Sequence, residues 1–458
     1  DSSTSRGLGD VYKRQAVDRY DDDPRYDLKG GNLYLNGSWA SSIRHHNGKF
    51  YVAFCTPYGW GTEKGHFSVC EAEKPEGPWK RTVFPEYLYD PGLLFDDDGK
   101  VYVVHGQHKL YVTELNADVR SVKGKPVEIW NKGVDDSRGS GKKAGMEGSH
   151  VYKINGMYYI TCPAGGTEGW QVCLRSKNIY GPYEHKVILQ DDSSYPPNGL
   201  HQGGMVQLKN GDWWFVIMQD RGPIGRVPHL LPVKWVDGWP VLGVNGKDAI
   251  TYRKPEVGKT YKVKTPATTD EFSGKKLGLQ WQWNHNPDHT KWSLSERPGH
   301  MRLKASQASD LKSARNTLTQ RVQGPNSEGT VEIDLSGLKD GNVAGFGVFE
   351  FPYAYVAVQQ EGNVRKVVMC NDGKIVETAV DNLTQNKLWI RARVTDKDFT
   401  ARFYYSLDGV DFSPVGDVLK MGLGLPWTAN RFALFNFTTR EAGVDGIADF
   451  NWFRFNGK

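Results

Sequence analysis

Two acidic residues stand where chemistry could be done. Glu147 lies in Met146-Glu147-Gly148-Ser149-His150-Val151-Tyr152-Lys153-Ile154-Asn155-Gly156-Met157-Tyr158-Tyr159-Ile160, beside a glycine at the mouth of an alternating strand that turns at Asn-Gly and returns rich in aromatic and β-branched residues. Asp90, in Tyr89-Asp90-Pro91-Gly92-Leu93-Leu94-Phe95, precedes an aliphatic strand, and the proline after it favours an extended backbone at Asp90. Two carboxyls facing one small pocket cannot both ionise freely, so one keeps its proton near neutral pH and serves as an acid, the arrangement that cleaves glycosidic bonds. Taken singly, either residue is more often a turn cap or a solvated side chain. A larger pattern has to bring them together.

That pattern is a repeat. Residues 41–52, 93–103, 150–160 and 204–215 each read as a strand, an Asn-Gly or Asp-Gly turn and an aromatic strand, with the turn residue at Asn47, Asp98, Asn155 and Asn210. A period of about 50 residues with a β-hairpin in each unit is the signature of propeller blades. A second echo, Gly77-Pro78-Trp79 and Gly181-Pro182-Tyr183, holds the same place in two of the units and would close an outer strand. A propeller gathers the mouths of its inner strands around one axis, so Asp90 and Glu147, one blade apart, are expected at a common depression.

From about Val257 the character changes. A polar stretch, 257–269, leads into Asp270-Glu271-Phe272-Ser273-Gly274 and alternating runs such as Thr330-Val331-Glu332-Ile333-Asp334-Leu335 and Leu388-Trp389-Ile390-Arg391-Ala392-Arg393-Val394, with sandwich spacing and no fifty-residue echo. Two domains suit a chain of 458 residues. With 52 Gly, 15 Trp and 22 Tyr the balance favours short strands and tight turns, and the fold class is all-β. The formal charge of +5 is spread without a long basic run, which argues against a nucleic-acid surface. No apolar run reaches the roughly 20 residues a membrane span needs.

Cys55, Cys70, Cys162, Cys173 and Cys370 lack the close pairs of a zinc site, and their odd number favours buried free thiols, with cross-strand disulfides Cys55–Cys70 and Cys162–Cys173 as the alternative. Residues 1–15 carry no signal-peptide pattern and read unlike the rest of the chain. They resemble translated sequencing-adapter contamination, and the natural N-terminus is expected to be missing. Compartment is therefore not readable: periplasmic, secreted or cytoplasmic in a bacterium.

The chain resembles glycoside hydrolase family 43. The resemblance rests on Ser38-Trp39-Ala40, Asp90-Pro91 with Phe95-Asp96-Asp97-Asp98-Gly99, Glu147-Gly148, Pro163-Ala164-Gly165-Gly166, His201-Gln202-Gly203-Gly204, and Gly225-Arg226 ahead of Leu231-Pro232-Val233-Lys234-Trp235 and Gly238-Trp239-Pro240, covering about residues 16 to 250. It implies a five-bladed propeller acting on arabinose- and xylose-containing polysaccharides, followed by a concanavalin-A-like β-sandwich of jelly-roll type. By position it makes Glu147 the general acid and Asp90 the carboxylate that tunes and orients it. Arg226 would reach the sugar subsite and sense the carboxylates, and Trp39 would offer a platform for a sugar face. His201 would sit on the axis, where family members hold calcium or water, or would be a hydrogen-bonded core histidine. Tyr58, Trp60 and Trp170 are further candidates on nearby loops.

In one respect the sequence departs from the family. The family's general base is an aspartate in the first blade, and residues 16–20 resemble only the end of that blade. Asp21, Asp22, Asp23 and Asp27 lie in a polar loop without the strand context. The expectation is thus a segment at 1–15 foreign to the fold, an incomplete propeller at 16–257 with its first blade largely missing, and an accessory sandwich at 270–458. The whole protein would be an inverting exo-glycosidase on xylo- or arabino-oligosaccharides, a β-xylosidase first and an α-L-arabinofuranosidase second. Without that blade the chain as given is expected to have little or no activity, and the competing reading is an inactive carbohydrate-binding propeller that lacks its base. No cofactor is required for the chemistry; a structural calcium, near His201, Glu271 or Asp449, is the one metal considered.

Overall fold

The computed structural model describes residues 16–17, 19–34, 36–59, 64–136, 143–249, 251–258, 266–422 and 428–457. Residues 1–15, Asp18, Trp60 and the middle of the polar stretch, 259–265, lie outside them.

Four four-stranded antiparallel sheets succeed one another along the chain. They are β1–β4 (Ser41–His46, Lys49–Pro57, Gly65–Ala72, Lys80–Phe84), β5–β8 (Gly92–Phe95, Val101–His105, Leu110–Leu115, Val127–Trp130), β11–β14 (His150–Ile154, Met157–Ala164, Trp170–Ser176, Glu184–Leu189) and β15–β18 (Leu200–Gln207, Trp213–Asp220, Arg226–Val236, Trp239–Leu242). A two-stranded ribbon, β9 (Val134–Asp135) and β10 (Lys143–Ala144), separates the second sheet from the third. Among the described residues there is no α-helix. The fold is an all-β propeller, with four blades among the described residues, followed by a β-sandwich.

Each repeat hairpin supplies the first two strands of a blade. At Asn47-Gly48 and Asn155-Gly156 both residues have positive φ (+47, +76 and +52, +75), and the strands pair directly across them, His46 with Lys49 and Ile154 with Met157. These are two-residue turns whose twist suits a hairpin. At the other two the loop is wider: Phe95 pairs with Val101 and Gln207 with Trp213, and only the glycine is left-handed. The Gly-Pro-aromatic echo joins the third and fourth strands of its two blades.

The propeller's core lies between blades. Tyr51, Phe67 and Val69 pack with Leu93, Val101 and Val103; Tyr102 and Val104 with Val151 and Ile160; Tyr159 and Cys173 with Phe215 and Ile217. This explains why the second strands, Val101–His105 and Met157–Ala164, are buried on both faces and read as nearly continuous apolar runs. Polar links join the inner strands. Leu93 N donates to Ser42 Oγ (3.1 Å), Arg44 Nη2 to Val151 O (2.8 Å) and Met205 N to Tyr152 Oη (2.7 Å). No apolar cluster of described residues joins the last blade to the first.

The sandwich stacks an eight-stranded sheet on a seven-stranded one over a core that includes Trp281, Phe346, Phe432, Phe450 and Phe453. It touches the propeller at both ends of the blade series. Ahead of the first blade, Tyr34 donates to Lys312 O (2.6 Å) and receives a bond from Asn284 Nδ2 (2.8 Å), and Arg315 pairs with Asp27 (3.0 Å). In the last blade the loop between β16 and β17 meets Arg321 and Asn430.

All five cysteines are free and buried. Cys70 stands opposite Val52 and Cys173 opposite Thr161, so neither suggested pair is in register for a cross-strand disulfide. Of the carboxylates considered for calcium, Asp449 accepts from Arg297 and Arg302 (2.8–2.9 Å) and Glu271 from Arg454 (3.3 Å).

Candidate active site

Asp90 ends the segment that enters β5, and Glu147 ends the one that enters β11; β5 lies against β11. Asp90 Oδ2 accepts a hydrogen bond from the backbone N–H of Gly148, the residue after Glu147, at 3.1 Å. Asp90 is 5% exposed. Its backbone is left-handed, with φ +49, and not extended as the following proline suggested. The contacts on both sides outweigh the local preference: Asp90 N meets Cys55 Sγ (3.4 Å) while its carboxylate caps Gly148. Gly148 has φ +57, and a Cβ there would lie 2.9 Å from Gln202 Nε2 and 3.1 Å from Pro163, so the close approach requires glycine.

Glu147 is half-buried, and its N–H points to Pro163 O (3.4 Å). Gln107 Nε2 (2.8 Å) and Tyr89 Oη (3.3 Å) both donate to its Oε2. Oε1 receives no hydrogen bond among the described residues. Burial, and then the neighbouring Glu147 charge, push the Asp90 carboxyl well above the usual carboxylate range, against a smaller pull from Arg226 and the Gly148 N–H. Asp90 therefore keeps its proton to higher pH than an isolated carboxyl would.

A second cluster stands beside them. Asp220, at the end of β16, faces Arg226, at the start of β17, across the strand pair. Arg226 Nε donates to Asp220 Oδ1 (3.1 Å), and His201 Nε2 lies 3.0 Å from Asp220 Oδ2. All three are buried. Burial alone would raise the Asp220 carboxyl, but the His201 hydrogen bond and the Arg226 charge hold it below its ordinary value.

The residues singled out from the sequence thus fall into two groups. Asp90 and Glu147 come together, and Arg226 acts on Asp90 through its charge. His201 is engaged by Asp220, and among the described residues no three His, Cys, Asp or Glu side chains gather as a metal would need. Trp39 is half-buried, with its ring edge-on to Tyr89 (6.1 Å, 69°), so it braces the tyrosine that touches Glu147. Trp170 is buried over Gly165, Tyr58 is 61% exposed beside His66, and Trp60 lies outside the described residues. Asp21, Asp22, Asp23 and Asp27 pair with Arg19, Arg81, Arg25 and Arg315.

Sequence reasoning missed Gln107, Tyr89 and Asp220. Tyr89 adjoins Asp90 and Asp220 precedes Arg226 by six residues, so both carried a positional signal. Gln107 sits in a loop after β6 and carried none.

Residues 14–240 match the family model described as glycosyl hydrolases family 43, and residues 269–456 the one described as the beta xylosidase C-terminal concanavalin A-like domain. A putative beta-xylosidase of Xylanibacter ruminicola is 34% identical over 417 residues, spanning 85% of this chain and 72% of its own. A beta-xylosidase of Formosa agariphila is 31% identical over 495 residues, spanning 94% and 80%. A non-reducing end alpha-L-arabinofuranosidase of Bacteroides ovatus is 35% identical over 308 residues, spanning 64% and 55%. Among solved structures, a bifunctional GH43-CE protein of Bacteroides eggerthii superposes with a TM-score of 0.85 at 36% identity, over 97% of this chain but 57% of that longer one.

Proposed function

The chain belongs to glycosyl hydrolase family 43, and from that premise we propose that it is an exo-acting β-xylosidase working with inversion, with Glu147 as the acid and Asp90 as its partner. The observation that carries this is the bond from Gly148 N to Asp90 Oδ2, which ties the second carboxylate to the backbone of the first. Asp90 is the more buried of the two, while Glu147 is half-exposed with an open Oε1, so Glu147 is the one that meets substrate. In the step proposed, the bond from the anomeric carbon to the glycosidic oxygen breaks as that oxygen takes the Glu147 proton. Water adds from the opposite face and gives up a proton to a base. Arg226, held by Asp220, offers planar donors to the sugar and a fixed positive charge to Asp90. No described residue is assigned as the base.

The names of the Xylanibacter and Formosa relatives support the xyloside, and the Bacteroides ovatus relative gives an α-L-arabinofuranosidase as the second reading. A test that does not depend on a protein base supplies azide as the nucleophile. Aryl β-xyloside and aryl α-arabinofuranoside are each incubated with the chain, with and without azide, and products are read by NMR. The expected result is faster release from the xyloside and an α-xylosyl azide when azide is present. Faster release from the arabinofuranoside would establish the second reading. Binding of xylobiose with no release from either substrate, even with azide, would leave a carbohydrate-binding module.

A further inference from the structure

The tip of the β16–β17 hairpin, residues 221–225, is gripped by the sandwich. Pro223 O accepts from Asn430 N (2.8 Å) and Asn430 Nδ2 (3.3 Å), and Ile224 O accepts from Arg321 Nη2 (3.1 Å). The Ile224 side chain is 8% exposed and belongs to the sandwich's own apolar core. Gly225, at φ +87, lets the two domains approach: a Cβ there would lie 2.8 Å from both Arg321 Nη2 and Ala429 Cβ.

Arg321 is unusual among these groups. It is half-buried, it stands opposite Arg431 in its strand pair, and among the described residues it has no carboxylate partner. Burial and Arg431 both push its pKa down. A half-buried guanidinium facing a like charge and no carboxylate adds little to a fold by electrostatics. Its hydrogen bond to Ile224 O is two residues before Arg226, the cation that acts on Asp90.

We propose that Arg321 and Asn430 are positioning residues: by pinning the carbonyls of Ile224 and Pro223 they fix where Arg226 stands relative to Asp90 and the sugar, so the sandwich tunes the acid pair from outside the propeller. This rests on the assignment of Asp90 and Glu147 made above. Among the described residues, the groups that face Asp90 are Cys55 from β2, Tyr87 and Tyr89 from the segment before β5, Glu147, Cys162 from β12, and Arg226. Burial holds the thiols and phenols neutral, so of these Glu147 and Arg226 carry the charge that a displaced hairpin would rebalance.

The test uses the full chain with Arg321→Met, Asn430→Ala and the double substitution. Methionine keeps the bulk of the arginine stem while removing the donor and the charge, so folding is not at risk from an unpaired ion. The carboxyl groups of Asp90 and Glu147 are titrated by 13C NMR, which needs no substrate, and kcat and KM are measured on aryl β-xyloside. The expected result is an upward move of the Asp90 titration, equivalent to a three- to tenfold change in proton affinity, with a several-fold rise in KM. Arg321→Lys, which keeps a donor, should restore part of both. Tyr34→Phe, which removes one of the sandwich's contacts with the segment ahead of the first blade, should move neither. An unmoved titration in the double variant, or the same movement in Tyr34→Phe, would overturn the proposal. A titration that moves in a chain that cleaves neither sugar would uphold the positioning role and sink the hydrolase assignment instead.

Discussion

In an Asp90→Asn variant the side chain keeps its size, and asparagine tolerates the left-handed backbone (φ +49) that position 90 adopts. The side-chain oxygen can still accept from Gly148 N, and the new amide can donate towards Glu147. What is lost is a buried charge. In the unfolded chain an aspartate releases its proton near pH 4, whereas in the folded chain the Asp90 carboxyl is held well above that range. Below about pH 4 both states are protonated and there is no penalty; as pH rises the unfolded chain ionises first, and the folded chain loses stability until its own group has titrated. A fully buried carboxyl can shift by about 3–5 units at roughly 1.4 kcal/mol each, and the pull of Arg226 and of the Gly148 N–H offsets part of this at Asp90, so we expect a gain of about 2 kcal/mol at pH 8. For a unit of this size that corresponds to about 4–8 °C in Tm. Thermal unfolding followed by circular dichroism from pH 4 to pH 9, wild type against variant, measures it, and turnover should fall by about a hundredfold in the same variant. Equal Tm values at pH 8, or a gain that persists unchanged at pH 4, would refute the assignment of a penalised charge to Asp90.

Gly148→Ala should lower stability by about 1–2 kcal/mol and cut turnover at least tenfold, because φ +57 and the 2.9 Å approach of Gln202 Nε2 leave no room for a Cβ without moving Glu147; urea unfolding and a standard rate assay check both. Gln107→Ala removes the 2.8 Å donor that orients Glu147 and should reduce kcat about tenfold with KM little changed, at a cost of about 1–2 kcal/mol. Five thiols should react with a thiol reagent after denaturation and none in the native chain, and a reductant should leave Tm unchanged.

The blades were legible because each repeats a turn that Asn-Gly or Asp-Gly chemistry specifies, succeeded by a strand that neighbouring blades bury on both faces. The widths of the turns at Asp98 and Asn210 were not, since the dipeptide alone does not say whether the glycine closes two residues or five. The carboxylate pair could be placed from its position in consecutive repeats. Its backbone could not: proline at position 91 favours an extended residue before it, and the contacts with Cys55 and Gly148 that override this come from elsewhere in the chain. Gln107 escaped for the same reason, as did the grip of Arg321 and Asn430 on the β16–β17 hairpin. His201 looked like a metal ligand or a core histidine, and its carboxylate partner is 19 residues away on the adjoining strand.

The central claim is that Glu147 delivers the proton to the leaving oxygen. Rates on xylobiose, whose leaving group needs that proton, and on β-xylosyl fluoride, whose leaving group hardly does, are compared for the unsubstituted chain and Glu147→Gln with azide as nucleophile throughout. A loss of about 10²–10⁴ on xylobiose and no more than several-fold on the fluoride is expected. Equal losses on both substrates, or an undiminished rate on xylobiose, would contradict it.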